Sequence, residues 1–247
     1  MSAFGLIGHP LSHSFSKAYF ENKFELLGLT DYTYSLFDIK NEDGLFDFKT
    51  AHPFLSGLNV TIPYKQKVLP YLDGISDSAR AIEAVNTIKI INGQWYGYNT
   101  DADGFKDSLL NWLNPIPKTA LILGNGGASK AVQFVLKELE VEFKVVSQTA
   151  SGNIITYDDI TKDLIENTPL IVNTTPLGMF PNTEIKPDFP VEWLNNKHSV
   201  YDIIYNPEQT LFLKLANQQG CKIKNGLEML HLQAEKSWEI WQKDSVL

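Results

Sequence analysis

The chain has 247 residues, 43% hydrophobic and 20% charged, and a formal net charge of −8 at pH 7. That length accommodates one large α/β domain or two modest ones, each with a core of its own. The acidic balance without any Lys/Arg cluster argues against nucleic acid, whose binding rests on phosphate neutralisation, and no apolar run approaches the roughly 18 residues of a membrane helix.

One cysteine, Cys221, rules out an internal disulfide and fits a reducing cytoplasm. The opening run Met1-Ser2-Ala3-Phe4-Gly5-Leu6-Ile7-Gly8 lacks the basic flank and cleavage signal of a secretory leader and reads as a first strand over 3–8. A helix follows over 14–27, with Phe20, Phe24 and Leu27 at helical spacing and Gly28 as its stop. Residues 32–37 and 58–61 read as strands, and a short helix opens at Pro63, where a missing N–H costs nothing. Asn92-Gly93 joins strands over 87–91 and 94–98 as a two-residue hairpin, so strand order in this half is mixed.

From Asp101 the pattern changes. A helix to about residue 113, with Asp101 placed as its N-cap, is stopped by Asn114-Pro115-Ile116-Pro117. A buried-type strand over 119–123 then runs into Gly124-Asn125-Gly126-Gly127-Ala128-Ser129, and a helix over 129–139, strands over 142–147, 170–173 and 199–204, and a helix over 208–220 follow. Strands separated by crossovers in this way make a parallel sheet wound with helices. A last helix over 226–242 puts Leu227, Leu230, Ala234, Trp238 and Trp241 on one face.

The glycine loop has the clearest mechanics. Gly124 permits a tight turn, Gly126 lets backbone N–H groups approach a pyrophosphate seated on the following helix, and Ser129, in place of the usual third glycine, is small enough to keep helix and strand close. Such folds read the adenine ribose at the end of the second strand, with an acidic residue for NAD or an arginine for the 2′-phosphate of NADP. Ser147-Gln148-Thr149 stands there, with neither discriminator, and the chain's only arginine is Arg80.

In the first half polar residues recur at strand ends: Ser14 and Ser16, Asn59 and Thr61, Asn86, and Asn99-Thr100-Asp101. Each has a bland reading; Ser14 caps the adjoining helix, Asn86 fills a turn. Lys65, like Lys67, reads on its own as a solvated lysine.

Seven segments taken together point further. Asn59-Val60-Thr61-Ile62-Pro63-Tyr64-Lys65, Ala84-Val85-Asn86-Thr87, Asn99-Thr100-Asp101, Gly124 to Ser129, Asn173-Thr174-Thr175-Pro176-Leu177-Gly178-Met179, Tyr201-Asp202-Ile203-Ile204-Tyr205-Asn206-Pro207 and Asn225-Gly226-Leu227-Glu228-Met229-Leu230-His231-Leu232-Gln233 resemble, in order across essentially the whole chain, the shikimate dehydrogenase family. The resemblance implies an oxidoreductase that reversibly reduces 3-dehydroshikimate to shikimate, usually with NADPH, in the pathway to aromatic amino acids. It implies Lys65 and Asp101 as the catalytic pair, Ser14 and Ser16 on the substrate carboxylate, and Thr61, Asn86, Asp101 and Gln233 on its ring hydroxyls. Tyr205 matches a substrate-side tyrosine.

On the cofactor side the resemblance implies Gly124, Asn125, Gly126, Gly127 and Ala128 at the pyrophosphate, Ser147 and Gln148 at the ribose, Asn173 and Thr174 in a cofactor-side loop, and Gly226 and Met229 beside the nicotinamide. Two departures stand out: the family's usual Asn-Arg-Thr is Ser147-Gln148-Thr149 here, and Glu228 replaces a common glycine. NADP is therefore expected with NAD possible, and no metal. The alternatives are an NAD-using quinate/shikimate dehydrogenase and a nucleotide-binding regulator without catalysis. The expected architecture is an N-terminal α/β substrate domain with a mixed sheet (1–100, completed by 224–247) and a Rossmann-like doubly wound dinucleotide domain (101–223) around a cleft, in a cytoplasmic monomer or homodimer.

Overall fold

The computed structural model describes residues 2–11, 14–42, 44–243 and 245. The chain forms two compact units, one built from the segment up to Thr100 together with the segment from Ala234 onward, the other from Asp101–Gln233.

In the first unit the order is β1 (Ser2–Gly8), α1 (Phe15–Leu26), β2 (Tyr32–Asp38), α2 (Gly44–Ala51), β3 (Leu55–Val60), α3 (Tyr64–Lys67), β4 (Gly74–Ile75), α4 (Asp77–Ile82), β5 (Thr87–Ile91) and β6 (Gln94–Tyr98). The strands form one sheet in the order β2-β1-β3-β5-β6-β4. β1 is parallel to β2 and β3, while β5 is antiparallel to both β3 and β6, which gives the mixed sheet. Asn92 and Gly93 both take positive φ, 52° and 77°, as a two-residue turn that matches strand twist demands. One face of the sheet buries Ile7, Leu58, Ile88 and Trp95. The other buries Phe4, Phe20, Phe24 and Tyr34 against Trp241 from the chain's last helix.

The second unit runs α5 (Thr100–Trp112), which enters it from Thr100, then β7 (Thr119–Leu123), α6 (Gly127–Glu138), β8 (Glu142–Val146), β9 (Ile154–Ile155), α7 (Lys162–Glu166), β10 (Leu170–Asn173), β11 (Ser199–Asp202), α8 (Leu211–Gln218), β12 (Lys222–Lys224) and α9 (Leu227–Gln242), the last continuing into the first unit at Ala234. All strand pairs between named strands here are parallel, in the order β12-β11-β10-β7-β8-β9. The winding direction reverses between β7 and β10, the switch point at which doubly wound sheets bind ligands beyond their carboxyl ends. The mixed sheet and the doubly wound parallel sheet are the expected fold class. Among the described residues no helix is long and apolar enough to cross a membrane.

Three expectations shift. Asp101 is not an N-cap: α5 starts at Thr100, whose backbone N–H donates to the Asn86 Oδ1 at 2.6 Å, so a side chain distant in sequence caps the helix and Asp101 falls in its first turn. α8 starts at Leu211 instead of residue 208, because the Thr210 hydroxyl accepts from the Leu213 N–H and fixes the cap there. The helix after the glycine loop begins two residues earlier than expected, at Gly127.

Candidate active site

In the first unit one sheet edge gathers the carboxyl ends of β1, β3 and β6 and the start of β5. The Thr61 N–H donates to the Ile7 carbonyl (2.9 Å), the Val60 N–H to the Asn86 carbonyl (2.8 Å), and the Val85 N–H to the Lys65 carbonyl (2.7 Å). These bonds draw Thr61, Lys65 and Asn86 together although 25 residues of chain separate the first from the last. Lys65 is half-buried on α3, whereas Lys67 is exposed and paired with Glu42 at 2.9 Å. The neighbouring lysine is thus the solvated one.

Beneath this edge lies a network of buried polar side chains, two of which, Tyr34 and Ser237, carry no signal in the local sequence. The Tyr34 hydroxyl donates to Asn59 Oδ1 (2.8 Å), and the Asn59 amide donates to the Ser237 hydroxyl (3.0 Å). Ser237 meets Thr87 at 2.7 Å and Thr100 at 3.2 Å, and the Asn86 amide donates to the Thr100 hydroxyl at 3.0 Å. All six are buried. Burial pushes the Tyr34 phenol far above its ordinary pKa, and a hydrogen bond with Ser16 opposes that shift only in part, so the phenol stays a donor. Ser16 and Asn86 are therefore both tied to one network. In a low-dielectric interior such bonds order the groups they join, because any member left unpaired is costly.

Ser14 behaves differently. It occupies the N-cap position of α1, but its side chain makes no capping bond, and its buried Oγ is the one such side-chain atom without a hydrogen-bond partner among the described residues. Native structures rarely bury a hydroxyl unsatisfied. The capping reading of Ser14 fails, and a hydroxyl left free to bind a ligand remains.

In the second unit the carboxyl ends of β7, β10, β11 and β8 meet around the glycine turn. Gly124 has φ +103°, and a Cβ there would stand 2.8 Å from Thr174 Oγ1, so only glycine makes this turn beside β10. The Thr174 hydroxyl and N–H both bond the Leu123 carbonyl, at 2.7 and 2.8 Å. A Cβ at Gly126 would meet nothing within 4 Å, leaving open space before the N-terminus of α6, a 12-residue helix with no acidic residue in its first turn. That cradle, through Gly124, Asn125, Gly126, Gly127 and Ala128, fits the pyrophosphate of a dinucleotide.

Asn173 and the chain after β11 are held by Asp202. Its carboxylate accepts from the Asn173 amide (3.0 Å), the Ile204 N–H (3.1 Å) and the Thr210 hydroxyl (2.7 Å). Burial raises the Asp202 pKa to about 6 against these three bonds, which lower it. Tyr205, three residues on, has its phenol pKa raised by burial. The Gly226 N–H donates to the Ile204 carbonyl at 3.0 Å. A Cβ on Gly226 would lie 1.9 Å from the Ile203 carbonyl oxygen, a contact no side chain survives.

α5 packs on α9 at Gly104, where a Cβ would come within 2.7 Å of the Met229 carbonyl oxygen and 3.0 Å of Gln233 Cβ. Asp101, one turn earlier on α5, and Met229 and Gln233 on α9 therefore belong to one helix pair. Glu228 strengthens that pair: its carboxylate accepts from Asn111 of α5 at 2.8 Å and is ion-paired with Lys224. Burial works to raise the Glu228 pKa, and the bonds from Lys224 and Asn111 outweigh it, leaving the group lowered. By contrast Ser147 is half-buried and Gln148 exposed at the end of β8, beside the turn through a bond from the Gly124 N–H to the Val146 carbonyl at 2.8 Å.

Residues 6–88 match the shikimate dehydrogenase substrate binding domain family. A protein of Methanococcus maripaludis (strain C7) named shikimate dehydrogenase (NADP(+)) is 42% identical, over 96% of this chain and 90% of its own. The chain belongs to the shikimate dehydrogenase family. A relative of the same name from Clostridium beijerinckii is 41% identical over 98% of this chain and 93% of its own. The crystal structure of shikimate 5-dehydrogenase from Thermus thermophilus, in complex with NADP(H) and shikimate, is similar with a TM-score of 0.87 at 32% identity, covering 98% of this chain and 94% of that one.

Proposed function

We propose that this protein reversibly reduces 3-dehydroshikimate to shikimate with NADPH as part of aromatic amino acid biosynthesis. Besides family membership, the reading is carried by the first unit, whose sheet edge draws Thr61, Lys65 and Asn86 together and whose Ser14 keeps a buried hydroxyl without a partner. A regulator without catalysis would have no use for that set.

In the proposed chemistry the Ser14 and Ser16 hydroxyls donate to the substrate carboxylate, and Thr61, Asn86, Asp101 and Gln233 hold its ring hydroxyls, with Tyr205 alongside. A bound nicotinamide dinucleotide supplies the hydride. Reduction of a ketone builds negative charge on its oxygen, and the Lys65 ammonium gives that oxygen a proton as the charge forms. Asp101 is the second member of the proposed catalytic pair. In the reverse direction a neutral Lys65 takes the hydroxyl proton back. Gly124 to Ala128 would hold the pyrophosphate, Ser147 and Gln148 the ribose, Asn173 and Thr174 the strand-end side of the cofactor, and Gly226 and Met229 its nicotinamide end.

The residues up to 100 with 224–247 act in this scheme as the substrate domain, and 101–223 as the dinucleotide domain. The protein works in the cytoplasm, where a lone cysteine stays reduced, as a monomer or homodimer. Mixing the purified protein with NADP+ and shikimate tests the proposal: absorbance in the reduced-nicotinamide band grows if it holds, and stays flat with both substrates at saturation if it does not.

A further inference from the structure

We infer that this protein binds NAD and NADP with nearly equal affinity, because the turn leaving β8, at the ribose end of its dinucleotide site, offers neutral hydrogen-bonding groups and no charged residue. The inference rests on the dinucleotide reading of the glycine turn. The bond from the Gly124 N–H to the Val146 carbonyl fixes the end of β8 beside that turn, where folds of this kind meet the adenine ribose.

The connection out of β8 is short and uncharged. Parallel neighbours usually need a crossover of a dozen or more residues, most often a helix, yet β8 reaches the parallel β9 through seven, Ser147-Gln148-Thr149-Ala150-Ser151-Gly152-Asn153. The return is fixed by backbone bonds, Ser147 N–H to the Ile155 carbonyl at 2.9 Å and Ile154 N–H to the Ser151 carbonyl at 3.0 Å. Gln148, Thr149 and Ala150 are exposed on it.

NADP differs from NAD by one phosphate carrying close to two negative charges, so preferring it requires a cation at this point. Arg80, the only arginine, lies in the first unit, where its guanidinium donates to the Ile75 carbonyl. Residues 101–233 carry 11 lysines against 16 carboxylates, a balance that repels added negative charge. Lys144 stands three residues before Ser147, about 10 Å back along the strand. Lys130 is in the first turn of α6, the pyrophosphate side that both dinucleotides share. Preferring NAD would require a carboxylate on the ribose 2′-hydroxyl, and the return has none. Hydroxyl and amide side chains serve either ligand, donating to a phosphate oxygen or accepting from a hydroxyl.

Calorimetric titration of the full-length protein with NAD+ and with NADP+, without shikimate, gives the test. The two Kd values are expected within about fivefold of each other. Gln148→Arg, on an exposed residue, should shift the ratio of the two Kd values at least about tenfold toward NADP+ by supplying a planar fork for the phosphate. A wild-type preference beyond about fivefold for either cofactor, or a Gln148→Arg variant whose ratio does not move, would overturn the inference while leaving the dinucleotide reading intact. Binding of neither cofactor would overturn both.

Discussion

The two units hold their polar groups in different ways. In the first, side chains bond side chains: Tyr34, Asn59, Thr87, Asn86, Thr100 and Ser237 form a buried network under the edge that carries Thr61 and Lys65. In the second, glycines bring backbone and open space to the carboxyl ends of the strands, Asp202 braces the strand ends, and the turn after β8 is exposed and neutral. In the proposed scheme, precision of position is built where proton transfer takes place, and adaptability remains where the dinucleotide is gripped. Substitutions in the first unit should therefore move turnover or stability, and those at the end of β8 should move affinity alone.

The largest expected effect is at Lys65. Lys65→Met should lower kcat by roughly three orders of magnitude with KM for shikimate changed only a few-fold, as loss of a general acid–base predicts; steady-state kinetics measure both. A fall in affinity with kcat retained would assign Lys65 to binding and weaken the contrast between the units.

Next comes Asp202, the brace of the second unit. An unfolded aspartate titrates near 3.9 and folded Asp202 near 6, so between those values the unfolded chain releases a proton that the folded one keeps. The contribution of protonated Asp202 is full below about pH 4 and lost as pH rises through 6, a change of about 3 kcal/mol. Urea unfolding of wild type and Asp202→Asn across pH 4 to 7 should show wild-type stability falling relative to the variant by about that amount. A constant difference would mean the carboxylate is not held in this way.

Tyr34→Phe removes a donor from the buried network and leaves Asn59 Oδ1 without it. A loss of about 1–3 kcal/mol in denaturant unfolding is expected, together with a fall in kcat, because Ser16 bonds the same phenol. Stability lost with turnover unchanged would mean the network supports the fold and not the site. The smallest effect is at Glu228: its pair with Lys224 is partly exposed, so Glu228→Ala should cost under about 1 kcal/mol, and less at high salt.

Much of the fold was legible. The strand over 119–123, the glycine turn and the helix after it announce themselves by apolar runs and a fixed turn chemistry, and Asn92-Gly93 sets the hairpin that makes the first sheet mixed. β4, β9 and β12, at two or three residues each, and the five-residue α7 are too short to show a period. The start of α5 at Thr100 has no local signature, because its cap, Asn86, comes from another strand end. The candidate site was legible where a motif is contiguous, as from Asn59 to Lys65. Tyr34 and Ser237 carry no local signal, since a tyrosine on a strand and a serine in a helix acquire their meaning only from Asn59 and Thr87 across the sheet. Asp202 lay inside a recognised segment, yet its role depends on Asn173 and Thr210, 29 and 8 residues away.

The most direct test of Lys65 as proton donor is the pH dependence of the wild-type rate in both directions. Shikimate oxidation with NADP+ should accelerate as pH rises, because a base that takes the hydroxyl proton must first lose its own, while 3-dehydroshikimate reduction with NADPH, which needs a proton donor, should not accelerate with pH. Profiles flat in both directions would contradict the account.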